Sequence, residues 1–532
     1  MTAYTPDKEL HVGKEGHALP YWQRLRDLRL PQLLYEQATL STAAFMLPFL
    51  LYLLTLAPTI YNLDSAELST AASTGGIVRA TGYPLYLLLG RIWSLIPVGD
   101  VGYRMNLLSA VCGALTIFLT WHILARLEVN VWARAGALGL LATAPYFWAL
   151  SLIAEVYTLH TVLMAAVILL MLRWYERPTL LGLIPAVFLL ALSMGNHAAT
   201  ILLAPACLFL VLVRAPRLAL HPKTWLASGT ALIAGMSIYL YLPLLYTTNP
   251  AFNYAGIYNA AGEFLTVDLT TPSGLWWLIS GKAFSGQMFA YKLNELWPEI
   301  SNFGIQLWIS FFAVGVGPGL FGIVKLLRRN WRLGLFLILL FLANAIFYIN
   351  YRVIDKNTMF LPAFLVWAVW VAIGYQDLLA WVVKTSPAAV EDQRIKNLGR
   401  FVMVAVVVMA LGWNWQRVNL AHDTSARERG EAILQAAEPN AILLGWWDTV
   451  PVVEYLQLVE GQRPDVQAIN RFLISGPDME TLIRQEIGSR PIYISSPPVS
   501  LLSTIDAVPV GPVYKLQPRL PQKEVQNSIE NK

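Results

Sequence analysis

Residues 40–57 read Leu-Ser-Thr-Ala-Ala-Phe-Met-Leu-Pro-Phe-Leu-Leu-Tyr-Leu-Leu-Thr-Leu-Ala, 18 consecutive positions without a charged side chain. A helix needs about 20 mostly apolar residues to cross the hydrocarbon of a bilayer, so a run like this reads as a crossing. A helix also satisfies every backbone N–H and C=O within the segment, which lipid cannot do for it. Comparable runs recur at about 105–125, 132–150, 155–172, 179–194, 198–213, 224–246, 301–325, 331–349, 358–382 and 398–416. The expected fold is therefore an all-α multi-pass transmembrane bundle of about eleven spans. Composition agrees, because 13% of the residues are charged and 56% hydrophobic, whereas soluble domains carry roughly 25% charged residues.

The flanks differ from this core. Residues 1–39 are polar and basic and read as a cytoplasmic segment; the polar stretch before the first apolar run marks that run as an uncleaved anchor rather than a signal peptide. Residues 417–532 carry charges at soluble density. Their apolar runs alternate: 424–437 and 449–460 are helical, whereas Ala441–Gly445, Val466–Ile469 and Pro491–Ser495 are strand-like. A small α/β domain with a polar tail after about Leu520 is expected there. Cys112 and Cys207 both fall within spans, so no disulfide framework is implied.

Short-loop Lys and Arg set the orientation. Arg24, Arg26 and Arg29, then Arg126 and Arg134, Arg173 and Arg177, Arg214 and Arg217, Arg328 and Arg329, and Lys384 and Arg400 mark cytoplasmic loops. The same rule accounts for the net charge of +5, so no nucleic-acid partner is implied. The first loop (58–104), the large loop (247–300) and the C-terminal domain are then outside, as expected for a bacterial cytoplasmic (inner) membrane protein. Residues 83–97 are apolar enough to span, yet a crossing there would invert every later loop. Parity makes them a half-inserted or interfacial helix. Gly195-Asn196-His197 breaks the apolar run between 179–194 and 198–213 and fits a turn at the outer surface.

The outer loops hold more polar chemistry than topology requires. Asp64 and Glu67 are three apart and share a helix face. A desolvated carboxylate pair raises the pKa of one member and can supply a general base; an N-cap at Asp64 with Glu67 closing a capping box is the structural alternative. Arg104 starts a span from the outer side, where phosphate or lipid headgroups could engage its fork. Glu155 and Tyr157 open another span, and an acid entering a membrane segment is a functional candidate by default. Asn196 and His197 sit at the tight turn, and Arg352, Asp355 and Lys356 at another. Trp446-Trp447-Asp448 could stack on a sugar or simply pack its domain. His122 and His160 fall in or near spans, and no histidines form a ligand pair by spacing. No Gly-rich phosphate loop, zinc spacing or nucleophile elbow is present. Two acids could hold a divalent metal, but no complete oxygen cage is legible.

Several of these stretches carry a family resemblance. Ala57-Pro58-Thr59 with Asp64-Ser65-x-Glu67, Gly82-Tyr83-Pro84-Leu85-Tyr86, Arg104-x-Asn106-Leu107-Leu108, Glu155-Val156-Tyr157, Gly195-Asn196-His197 and Tyr351-Arg352-Val353-x-Asp355-Lys356 carry it. Together they resemble the former domain-of-unknown-function family that includes the metazoan transmembrane protein O-mannosyltransferase, within the GT-C class. Where many members read His-Pro-Pro-Gly-Tyr-Pro, this chain reads Arg79-Ala80-Thr81-Gly82-Tyr83-Pro84. The resemblance implies a sugar donor linked to polyprenyl phosphate and a protein or lipid acceptor. It implies Asp64 as the catalytic acid of the signature and Glu67 as its companion. Arg104, His197, Arg352 and Lys356 are then the donor-phosphate candidates, and Tyr83, Glu155, Tyr157, Asn196 and Asp355 the substrate-binding ones. A flippase of a lipid-linked glycan is the alternative, although transporters place polar sites at the midplane between repeats, and here they sit at span ends without a repeat.

Overall fold

A computed structural model describes residues 30–386 and 392–519. The arginines of the N-terminal segment and the polar tail after Leu520 lie outside the described residues. Two compact units are present, residues 1–43 and 44–532. In the first, the described part is the start of the Leu30–Leu54 helix. The second holds the rest of the helical bundle and a C-terminal α/β domain.

Helices fill each region expected to span, in pieces of differing length. Among the described residues, seven helices are long and apolar enough to cross a membrane: Gln37–Thr55, Val101–Arg126, Val156–Glu176, Pro222–Tyr246, Trp331–Ile349, Lys356–Thr385 and Asp392–Val418. The protein is an integral multi-pass membrane protein. Shorter helices cover Val131–Ala142, Leu180–Met194 and Ala198–Arg214. The run expected at 301–325 is not one helix: Leu296–Ser310 and Val316–Arg329 are separate, because Phe312 and Ala313 turn through positive φ between them. Residues 83–97 form a helix over Pro84–Trp93 only; at 1.5 Å per residue it is too short to cross. The break at Gly195-Asn196-His197 is also present, between the Leu180–Met194 helix and a 3₁₀ turn starting at Ala198.

Burial sorts these helices by depth. In the most apolar window of Lys356–Thr385, 89% of residues are buried within the protein, and in that of Asp392–Val418 only 6%. The first is the core of the bundle. The second presents Phe401, Val404, Val408 and Trp413 outward, where lipid would cover them. Small residues let helices approach closely. A Cβ on Gly322 would overlap the carbonyl oxygen of Trp370, and one on Gly374 that of Pro318, so the Val316–Arg329 and Leu361–Thr385 helices meet backbone to backbone.

The large loop after Tyr246 carries a short antiparallel hairpin, β1 (Gly256–Tyr258) and β2 (Phe264–Thr266). The C-terminal domain holds β3 (Ile442–Gly445), β4 (Gln467–Asn470), β5 (Ile492–Ile494), β6 (Ile505–Val510) and β7 (Val513–Pro518) in the order β4-β3-β5-β7-β6. Three strands are parallel and the last two antiparallel. The hairpin, β6, β7 and the Gly476–Glu486 helix were not foreseen in the sequence.

The domain is seated on the first loop. The Arg427 guanidinium binds Glu460 at 2.6 Å and reaches Asp100 at 3.3 Å, and the Gly102 N–H donates to the Tyr455 hydroxyl (3.1 Å).

Candidate active site

The short helix Asp64–Thr74 bears the two acids. It enters through Leu63 at φ +56° and leaves through Gly75 in the left-handed conformation. Its polar side is inside: Ser65, Glu67, Ser69 and Thr70 are all buried. No side chain caps its N-terminus, and Asp64 is its first residue. The capping alternative therefore gives way to a different arrangement.

Both carboxylates converge on Arg79, with Asp64 Oδ2 at 2.5 Å and Glu67 Oε2 at 2.6 Å from its guanidinium. The Arg79 backbone N–H adds a bond to Glu67 Oε1 at 3.0 Å. The other Asp64 oxygen accepts from Trp447 Nε1 at 3.1 Å, and the guanidinium lies 4.3 Å over the same indole. Trp447 thus follows β3 into the bundle core and closes the pair from above. Burial pushes the Glu67 carboxyl up to about 7, against the pull of Arg79 and with the charge of Asp64.

Beyond this clamp the second wall assembles. Tyr83 enters the Pro84–Trp93 helix at φ +40° and stacks on His197 with centroids 6.1 Å apart. Tyr157 and His160 pack on the same imidazole at 5.7 and 5.2 Å, so His160, unpaired by spacing, is a neighbour in space. His197 Nδ1 accepts from the Ala199 N–H (3.2 Å), and burial lowers its pKa to about 4. It is neutral at physiological pH and has no charge to offer a phosphate. The Asn196 amide donates to the Val156 carbonyl (3.1 Å). Glu155 faces the charges of Asp64, Asp355 and Arg79. Its Oε2, His160 Nε2, Asn196 Oδ1 and the Tyr86 hydroxyl are buried without a protein partner. Orphaned polar atoms in one region call for a ligand or water to satisfy them.

Three of the candidate cations are engaged elsewhere. Arg104 turns its fork to the carbonyls of Val98, Ser94 and Gly99 at 3.0, 2.7 and 2.9 Å; it ties the end of the first loop. Lys356 is buried, ion-paired with Glu299 and bonded to the Tyr291 hydroxyl (3.0 Å). Arg352 is more than half exposed and approaches Glu295 at 3.8 Å. Both residues hold the large loop, while Asp355 lies within range of the Asp64 charge. Among the described residues, no three of His, Cys, Asp and Glu are grouped to hold a metal ion; between Asp64 and Glu67 the position of a cation is taken by Arg79.

The sequence showed Arg79 and Trp447 but did not assign them to the acids: Trp447 stood as a residue that could stack on a sugar or pack its own domain. Arg79 stood at the departure from the usual signature, and an arginine fifteen residues from an acid carries no local signal. Trp447 is 383 residues from Asp64.

Residues 64–219 match a family model described as the Protein O-mannosyl-transferase TMEM260 N-terminal domain. The chain is 26% identical over 458 residues to Protein O-mannosyl-transferase TMEM260 of Mus musculus, covering 82% of this chain and 63% of that protein. It is 22% identical over 475 residues to the tmem260 protein of Dictyostelium discoideum, covering 80% and 56%. The chain thus spans about three fifths of the length of these curated relatives. Among solved structures it is similar to ArnT from Cupriavidus metallidurans bound to undecaprenyl phosphate, with a TM-score of 0.55, 13% identity, and 90% and 98% of the two chains covered. The apo form of ArnT gives 0.56, 13%, 91% and 98%. The fold is of the GT-C type. The family resemblance read from the first-loop signature and the family model fall on the same stretch, which the model enters at Asp64.

Proposed function

We propose that the chain is a membrane glycosyltransferase that moves a sugar from a polyprenyl-phosphate-linked donor to a protein or lipid hydroxyl on the extracytoplasmic face, with inversion. The observation that carries this reading is the guanidinium of Arg79 clamped between Asp64 and Glu67 beside unsatisfied buried polar groups. Arginine matches phosphate in geometry and charge, and in the absence of donor the two carboxylates are its counter-ions. A donor phosphate would compete for the same fork, freeing Asp64 to take the proton of the acceptor hydroxyl.

The step balances simply. The acceptor oxygen forms a bond to the anomeric carbon as the bond from that carbon to the phosphate oxygen breaks. The proton goes to Asp64, and the leaving polyprenyl phosphate gains a negative charge beside Arg79. The transition state has oxocarbenium character, and the charge of Asp64 beside it helps electrostatically, with Glu67 and Glu155 lining the site. His197, Asn196, Tyr83 and Tyr157 are assigned to holding the sugar, with Asp355 at the edge of the site. Arg104, Arg352 and Lys356 are reassigned to shaping the loops. The names of the relatives point to mannose, and the lipid in the structural neighbour to an undecaprenyl-type carrier.

Asp64→Asn keeps shape while removing the base, so transfer should fall by about 10²- to 10⁴-fold. The assay is transfer of radiolabelled sugar from polyprenyl-phosphate mannose by purified protein. Wild-type turnover in this variant would overturn the role of Asp64.

A further inference from the structure

The large loop and the C-terminal domain line a half-open cavity of about 260 Å³ that the transfer chemistry does not use. Its walls include Tyr246, Tyr258 and Phe264, with Asn249, Asn253 and Glu454 between them. The hairpin side is pinned to the domain by the Tyr258 N–H on the Leu473 carbonyl (2.6 Å) and by Gln467 Nε2 on the Gly262 carbonyl (2.9 Å). Tyr258 and Phe264 meet edge to face at 4.9 Å. Two separate parts of the chain therefore fix the shape, and the cavity does not depend on one loose loop.

The lining selects a ligand class. No lysine, arginine or histidine faces the cavity, so nothing would pair with a phosphate. Glu454 is held by the Tyr254 hydroxyl, and burial pushes its carboxyl up to about 8, so a cation is not favoured either. Aromatic rings beside two amides and a carboxyl suit a ring with one apolar face and an edge of hydroxyls. The volume lies below the roughly 300 Å³ at which pockets for drug-sized ligands begin, which suits one such ring rather than an oligomer.

We infer that this cavity is a binding site for an uncharged sugar ring, one wall away from the transfer centre. The separation is short: Glu454 is bonded to Tyr254, Tyr254 packs on Trp447 with centroids 5.2 Å apart, and Trp447 is bonded to Asp64. That the sugar belongs to the acceptor rests on the transferase reading; the cavity's ligand class does not.

Saturation-transfer NMR with methyl α-mannopyranoside tests it, using the full chain in a detergent without a sugar headgroup. Wild type and Asp64→Asn should both transfer saturation to the ring protons, while Tyr258→Leu and Glu454→Ala should reduce it at least fivefold. Thermal melts establish that each variant is folded; if Tyr258→Leu is not, Glu454→Ala decides. No signal in the wild type overturns the site, as does an undiminished signal in a folded Glu454→Ala protein. Loss of the signal in Asp64→Asn also overturns it, by locating the sugar in the transfer centre. Because binding is read without turnover, an inactive protein that still binds the sugar would count against the transferase reading and not against this site.

Discussion

Asp64 and Glu67 lie on one helix face with the Arg79 guanidinium between them, and its removal would leave two buried acids without a counter-charge. Breaking a buried pair in this way costs about 3–5 kcal/mol. Arg79→Ala should therefore lower the melting temperature in detergent, while Arg79→Lys, which keeps the charge and loses the fork, should restore stability better than donor binding. Glu67 offers a test by pH. Its pKa is raised from the ordinary 4.5 to about 7, so its negative charge appears only as pH rises through that value. Ionised Glu67 competes for Arg79 and repels a phosphate. The apparent kcat/KM for donor should thus fall as pH rises through about 7, and Glu67→Gln should flatten that limb. An unchanged profile in Glu67→Gln would remove Glu67 from donor binding. The acids themselves were legible because their spacing is local; Arg79 was visible but unassigned, because only the fold brings its side chain back to them.

At the scale of elements, the turn after β3 does the work of joining two domains. Trp447 leaves β3 and reaches Asp64, and Trp447→Phe keeps the packing while deleting that bond. A loss of about tenfold in turnover, with little change in the melt, is the expected result, since one hydrogen bond to a charged group is worth about 1.5–3 kcal/mol. Tenfold corresponds to about 1.4 kcal/mol, near the bottom of that range, because Arg79 still holds the carboxylate. Helix contacts in the bundle are tighter still. Gly374→Val should prevent the Leu361–Thr385 helix from meeting Val316–Arg329 and yield aggregated protein on size-exclusion chromatography. Such contacts are not legible locally, because a glycine in an apolar run looks the same whether it faces lipid or a backbone.

Across the whole molecule, our proposal requires the first loop and the C-terminal domain to share one side of the membrane, as the loop charges lead us to expect. A reporter fused near Leu127 should report the cytoplasmic side, and one fused after Arg519 the opposite side. The same side for both would separate the C-terminal domain from the outer loops in topology. What the sequence determined by itself was the membrane character, the approximate helix positions, the α/β nature of the C-terminal segment and the Asp64–Glu67 pair. These follow from runs and spacings within a few turns of chain, where hydropathy and helical periodicity act directly. The antiparallel end of the sheet was not legible, because β6 and β7 are edge-proximal strands with mixed polar residues and prolines at Pro509 and Pro518. Only the tertiary structure decided the partners of the acids, the pairing of His160 with His197 and the bonding of Arg104 to the carbonyls of Val98, Ser94 and Gly99. Charge satisfaction in a buried space is settled by whichever groups the packing brings within 3 Å, and that distance bears no relation to separation along the chain.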